Sequence, residues 1–252
     1  MSEIKINDDE RLDDLEINYY KIIQKKSGFC FGSDSVLLSG FASQKGIGIK
    51  RNSRVLDLGT GTGVIAILLC AKTSLKEIYG VEIQRNMAEM ADRSVRLNNL
   101  QDRMKILNCD IKEIPDMLEK NSFDAIVCNP PYKDRESGAG NVKVMQDVSR
   151  HETSASLEDF ISIGANMLNS EGFFYMVNRV ERMTEIFEIM RRYKIEPKVL
   201  RFIYSNVDSE GKLFLIKGVK NGRKFLKVLS PLIMYKEDGS YTDEVLKIYG
   251  KI

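Results

Sequence analysis

No apolar run in this chain approaches the ~18 residues that a membrane-spanning helix needs. The longest, residues 64–71, is cut off by Lys72. The first residues are acidic and polar, without the basic-then-apolar profile of a secretory signal, so a cytoplasmic location and no membrane partner are expected. Cysteine is sparse: Cys30, Cys70, Cys109 and Cys128 stand far apart, each in an apolar run. None has the Cys-x-x-Cys spacing of a zinc or redox centre, which leaves buried reduced thiols and no metal as the expectation. Histidine occurs once, at position 151. Internal repeats, low-complexity tracts and Pro/Ser-rich linkers are also missing. With no obvious dimer seam, a monomer is expected.

What is there suits one large α/β domain of 252 residues. The net charge is only +2, but it is unevenly spread. Residues 1–20 carry seven acids against Lys5 and Arg11, whereas residues 175–252 hold 16 Lys+Arg against 10 Asp+Glu. A basic C-terminal part suits a polyanionic partner, although such residues are most often a solvated face.

From Arg54 onward, short apolar runs alternate with longer amphipathic stretches. The pattern predicts strands over residues 54–58, 77–83, 104–109, 123–128, 172–178, 197–204 and 213–218. Helices are predicted over 63–72, 84–99, 112–120, 157–169 and 180–193. That rhythm predicts a mostly parallel seven-stranded sheet with helices on both faces, a Rossmann-like architecture. The last two strands follow one another without a helix, so they are expected to pair as an antiparallel edge hairpin. Residues 1–52 read as an N-terminal extension or lid packed on a catalytic domain of residues 53–252. The tail predicts a short helix starting near Thr242.

The segment Val55-Leu56-Asp57-Leu58-Gly59-Thr60-Gly61-Thr62-Gly63 is a strand breaking into a glycine turn before a helix. Its spacing is Gly-x-Gly-x-Gly rather than the Gly-x-Gly-x-x-Gly of a dinucleotide fingerprint. Asp57 would oppose a pyrophosphate but could hold a cationic amino-acid moiety. Glu82 follows about 20 residues after the loop, where a carboxylate accepts ribose hydroxyls. Asp110 ends the third strand, positioned for an adenine amino group with Ile111 against the ring. Gly59, Gly61, Gly63 and the three acids together predict S-adenosylmethionine, which has an adenosine half, a cationic end and no phosphate.

The fourth strand runs into Asn129-Pro130-Pro131-Tyr132. Proline ends the ladder and stiffens the residue before it. An exocyclic amino or amide nitrogen is a poor nucleophile, because its lone pair is delocalised. Two acceptors on its hydrogens, the Asn129 side-chain carbonyl and the Pro130 backbone carbonyl, would turn that lone pair toward a methyl donor. Tyr132 would stack on the planar group. Such catalysis is mostly positioning and needs no strong base. At this level, adenine and a protein amide both remain open.

These motifs resemble those of class I methyltransferases that modify amino groups. More narrowly, the chain resembles the bacterial family that makes N6-methyladenine beside the anticodon of a valine tRNA. The narrower resemblance rests on Phe29-Cys30-Phe31-Gly32-Ser33-Asp34-x-x-Leu37-Leu38, on Ser149-Arg150-His151-Glu152, and on the tail Pro231-Leu232-Ile233-Met234-Tyr235…Tyr241-Thr242. It implies tRNA as partner and adenine N6 as target, with Asn129 also bordering the cofactor and with Pro131, Lys133, Arg150 and His151 near the substrate. Arg150 and His151 have a second reading, as the lead into a helix capped by Thr153 and Ser154. Asp34 and Ser35 read first as helix-start residues, with Phe29 and Phe31 as a lid. Two other functions stay in view: a glutamine amide methyltransferase, and a non-catalytic adaptor retaining the cofactor fold.

Overall fold

The computed structural model describes residues 4–27, 31–132 and 155–252. The chain opens with a hairpin, β1 (Glu10–Asp14) and β2 (Lys21–Lys25), then α1 (Ser33–Ser43). The αβ core follows: β3 (Arg54–Leu58), α2 (Val64–Lys72), β4 (Glu77–Val81), α3 (Arg85–Leu97), β5 (Met104–Leu107), α4 (Ile114–Met117) and β6 (Phe123–Cys128). Then come α5 (Leu157–Met167), β7 (Leu168–Arg179), α6 (Met183–Arg192), β8 (Ile195–Tyr204) and β9 (Gly211–Lys220). Two short strands, β10 (Lys227–Val228) and β11 (Leu232–Ile233), precede α7 (Asp243–Tyr249).

The main sheet has the order β10-β8-β9-β7-β6-β3-β4-β5, with β11 also on β8. Among the described residues, β9 alone in this sheet runs antiparallel to both its neighbours. The expected seven strands are all present, but among the described residues the sheet has nine. The hairpin of β8 and β9 is not left bare, because β10 and β11 pair parallel to β8 along its outer side and cover much of an edge that would otherwise invite pairing. The chain passes from β3 outward to β4 and β5, then returns to β6 on the other side of β3. That reversal opens a crevice at the carboxyl ends of β3 and β6, the place where open α/β sheets bind ligands.

Alternation along the strands builds two cores. Val55, Ile78, Val127 and Tyr175 pack with α1 and α2 on one face, whereas Leu56, Val81, Cys128 and Met176 pack with α5 and α6 on the other. The α2 helix is apolar all round and buried from Val64 to Cys70, as a helix sandwiched against a sheet must be. On the second face, Ser156 caps α5 in a capping box with Asp159, so Thr153 and Ser154, outside the described residues, are not its caps. The predicted helix over 112–120 contracts to a 3₁₀ turn at Ile111–Glu113 and the single turn of α4.

The N-terminal hairpin is bound to α3 and its C-terminal end by specific contacts. Ile23 N donates to Ser94 Oγ at 3.0 Å, and Lys21 N to Asn98 Oδ1 at 2.8 Å. Glu10, 3% exposed, receives two hydrogen bonds from the Arg93 guanidinium, at 2.6 and 2.7 Å. At the other end of the chain α7 lies against α1 so closely that a Cβ on Gly40 would sit 2.7 Å from Ile248. Lys72 Nζ donates to the Ile248 carbonyl at 2.7 Å, and Lys251 pairs with Glu16 at 2.9 Å.

The Arg93 guanidinium pulls the Glu10 carboxyl down to about 2 from an ordinary 4.5. The stability this contributes is present above pH ~4.5 and is lost as pH falls toward 2. Arg93→Ala strands the Glu10 charge under the hairpin and should lower unfolding free energy by about 2 kcal/mol at pH 7, measured by urea denaturation. The deficit relative to wild type should shrink at pH 3.

Candidate active site

The turn between β3 and α2 is drawn tight by three glycines in the left-handed region, Gly59, Gly61 and Gly63, at φ +71°, +59° and +88°. Gly59 and Gly63 also lack room: a Cβ would come within 3.2 Å of Phe160 and Met104 respectively. At Gly61 the nearest atom to a built Cβ is 4.0 Å away, so this residue presents bare backbone to the crevice. Thr60 N donates to the Val81 carbonyl at 2.9 Å, which ties the turn to the end of β4.

Asp57, fully buried at the end of β3, accepts from the Thr60 hydroxyl at 2.6 Å through Oδ2. Its Oδ1 has no hydrogen-bond partner. Burial, with the Glu82 charge nearby, pushes its carboxyl up to about 7, and the Thr60 hydroxyl and the Ala66 amide dipole offset part of that. Glu82, just past β4, accepts from Gly61 N at 2.9 Å and Gln84 N at 2.8 Å. Asn108 donates to the carbonyls of Glu82 and Ile83, locking the ends of β4 and β5 together. Asp110 caps the next turn by accepting from Lys112 N at 3.0 Å. Ile111 is 5% exposed and packs into the second core, so little of it is left to face an adenine ring.

Three acids thus follow three adjacent strands around a loop without a basic side chain. An orphaned carboxylate oxygen beside a second carboxylate calls for a cation, and these residues fit S-adenosylmethionine better than any pyrophosphate carrier. Because Asp57 is wholly covered, its charge acts from beneath the loop rather than from the crevice surface.

Leu58 pairs with Cys128 as the last residue of each strand, so the Asn129-Pro130-Pro131-Tyr132 elbow leaves the sheet beside the glycine turn. Pro130 is buried and Pro131 exposed. Asn129 Nδ2 donates to Ser35 Oγ at 3.3 Å, and the Tyr132 hydroxyl lies 2.5 Å from Asp34 Oδ2 and 3.1 Å from Asn129 Oδ1. The Arg179 guanidinium stands 5.4 Å from the centre of the Tyr132 ring. Burial and the Asp34 carboxylate raise the Tyr132 phenol far above its ordinary value, which keeps it a donor. Asp34 and Ser35 are therefore more than helix-start residues: the first turn of α1 is wired to the elbow. Arg179, at the end of β7, joins them. Phe31 packs against the first core and donates its N–H to Gln24 Oε1 at 2.9 Å. Phe29, Lys133, Arg150 and His151 lie outside the described residues.

A family model described as a methyltransferase domain matches residues 49–241. A tRNA1(Val) (adenine(37)-N6)-methyltransferase of Trichodesmium erythraeum is 32% identical over 165 residues, which cover 65% of this chain and 66% of that protein. The protein of the same name from Parabacteroides distasonis is 27% identical, over 81% of this chain and 82% of its own. Among solved structures, a predicted O-methyltransferase from Agrobacterium tumefaciens superposes with a TM-score of 0.69 at 21% identity, covering 86% of this chain and 96% of that one.

Asp57 makes stability depend on pH in a defined direction. Its folded-state value near 7 lies above the ordinary 3.8, so folding favours the neutral form. The corresponding stability is full below pH ~4 and is lost as pH rises through about 7. Asp57→Asn abolishes that loss. Urea unfolding of ligand-free protein at pH 5 and pH 8 should show the wild type weakening relative to the variant at the higher pH.

Proposed function

This chain belongs to the methyltransferase-domain family, and we propose that it uses S-adenosylmethionine to methylate the exocyclic N6 of an adenine in tRNA, next to the anticodon. The curated relatives support the substrate class through their names. The observation that carries the reading is the state of the Asn129 amide at the crevice. Bound S-adenosylmethionine supplies an electrophilic methyl on a sulfonium; the protein's task is to hold the cofactor and aim the amine.

Asp57, the glycine turn, Glu82 and Asp110 form the holding side. Glu82 supplies negative charge where a cationic cofactor needs it, Asp57 ionises beneath the loop as that cation arrives, and both are anchored by hydrogen bonds before any ligand is present. Asn129 is the aiming group. Its amide could present either end, but donation to Ser35 leaves the carbonyl facing the elbow. Tyr132 has one proton to give and two acceptors, and the closer is Asp34. Asp34 thereby draws that proton away from Asn129 Oδ1, whose lone pairs stay open to an amino hydrogen. With the Pro130 carbonyl taking the second hydrogen, the nitrogen lone pair turns out of conjugation and toward the methyl. No base has to remove a proton before transfer. Positioning of this kind can lower a barrier by several kcal/mol.

Purified protein with labelled cofactor should methylate bulk tRNA from cells that lack the enzyme, and mass mapping should place the label on adenine N6. Asn129→Ala should abolish transfer while cofactor binding persists. Labelling of a protein glutamine in place of RNA would overturn the reading. Asp34→Ala should lower kcat about tenfold or more with cofactor affinity unchanged, and Asp34→Asn, which keeps an acceptor, should recover part of that loss. Glu82→Ala should weaken cofactor binding by about 1–3 kcal/mol, the scale of a lost charged hydrogen bond, measured by calorimetry.

A further inference from the structure

The outer edge of the sheet carries a feature that neither folding nor methyl transfer accounts for. Residues 223–228, Arg-Lys-Phe-Leu-Lys-Val, are exposed without a break. Phe225 is 87% exposed, and its backbone is held at φ +113°, a strained position for an aromatic residue. Leu226 and Val228 are 40% and 55% exposed beside it. A large ring set in solvent on a strained backbone gains nothing from the core, and exposed apolar groups of this kind mark contact surfaces.

Cations surround it. Lys198 Nζ donates to the Arg223 carbonyl at 2.9 Å. Asn221 N donates to the Lys194 carbonyl at 2.7 Å, and Lys220 pairs with Ile195. These links gather Lys194, Lys198, Arg223, Lys224 and Lys227 at the start of β8 and the end of β9, whereas the Lys220 ammonium turns the other way, onto Asn121 Oδ1 and the Leu168 carbonyl. Burial and the neighbouring Lys194 charge lower the Lys220 ammonium below its ordinary value. Lys194, Arg223, Lys224 and Lys227 make no ion pair among the described residues. Unneutralised cations interleaved with an aromatic ring suit a polyanion that also has planar faces, which is the chemistry of RNA.

Register places this edge relative to the site. Lys227 pairs with Val199, Val199 with Lys217, Lys217 with Tyr175, and Tyr175 with Val127, two residues before Asn129. β10 is therefore nearly level with the end of β6 and four strand spacings to its side, about 20 Å away, while Arg223, Lys224 and Phe225 lie further off, toward the amino ends of β6 and β8.

We propose that residues 223–228 form a second RNA contact surface. Arg223, Lys224 and Lys227 hold phosphates of the substrate while its target base occupies the crevice about 20 Å or more away, and Phe225 stacks on an unpaired base. The proposal rests on the RNA reading above. It adds a grip on the body of the folded RNA, separate from the groups that handle the base.

The test measures binding of full-length tRNA between 50 and 300 mM KCl, with the triple variant Arg223→Gln/Lys224→Gln/Lys227→Gln and with Phe225→Ser. The triple variant should bind about tenfold or more weakly at 100 mM salt. The slope of log K against log salt should become shallower by about 2–3, as expected for three lost phosphate contacts. Phe225→Ser should weaken binding without changing the slope. Cofactor affinity, thermal stability and kcat at saturating RNA should match wild type in both. A wild type that methylates no RNA overturns the earlier reading and this one with it. A wild type that methylates RNA, with a triple variant binding it at unchanged affinity and slope, overturns this proposal alone.

Discussion

Leu58 and Cys128 stand opposite each other as the last residues of two neighbouring parallel strands, and the functional geometry follows from that one register. What leaves the first strand is a glycine turn, and what leaves the second is a proline elbow. Because the strands stop together, the turn and the elbow are neighbours at the mouth of one crevice. A slip of one residue would send Asn129 to the opposite face and part it from Ser35. The register is held from both faces at once, since alternate residues of each strand belong to different cores. Neither strand can shift without moving a whole set of buried side chains into the wrong layer.

Within that frame the crevice separates two tasks by chemistry. The cofactor side concentrates negative charge and keeps part of it unsatisfied, at Asp57 Oδ1. The substrate side is a chain of neutral and charged hydrogen bonds running from Asp34 through Tyr132 to Asn129 and Ser35. On the first side strain is electrostatic and is relieved by a bound cation. On the second it is directional, because a single phenolic proton must favour one of two acceptors. The two meet across the pairing of β3 and β6.

The interior of the fold is legible in the sequence because buried parallel strands are continuous apolar runs that end where glycine or proline forbids continuation. β3 and β6 match the expected limits residue for residue. Asp57, Glu82, Asp110 and Asn129 are legible for the same reason, being strand-end residues with fixed spacing to those breaks. The N-terminal hairpin is not. β1 reads Glu-Arg-Leu-Asp-Asp, without a buried apolar face, and is held by Glu10–Arg93 pairing, while its partner β2 is held by contacts to Ser94 and Asn98 far along the chain. The partners of the elbow were hidden likewise: Ser35 and Asp34 precede Asn129 and Tyr132 by 94 and 98 residues, a coupling that no local pattern encodes. The short strands β10 and β11 have too few residues for a periodicity to register.

The clasp of α7 on α1 has a consequence for synthesis. Helix α1 carries the two residues that orient the elbow, yet it is packed against Ile248, which is synthesised long after the elbow itself. The cofactor side can assemble once β3 to β6 have emerged, roughly half the chain earlier. A nascent protein therefore completes its donor half first and secures its acceptor half only after α7 has been made, so that holding the cofactor precedes aiming the amine.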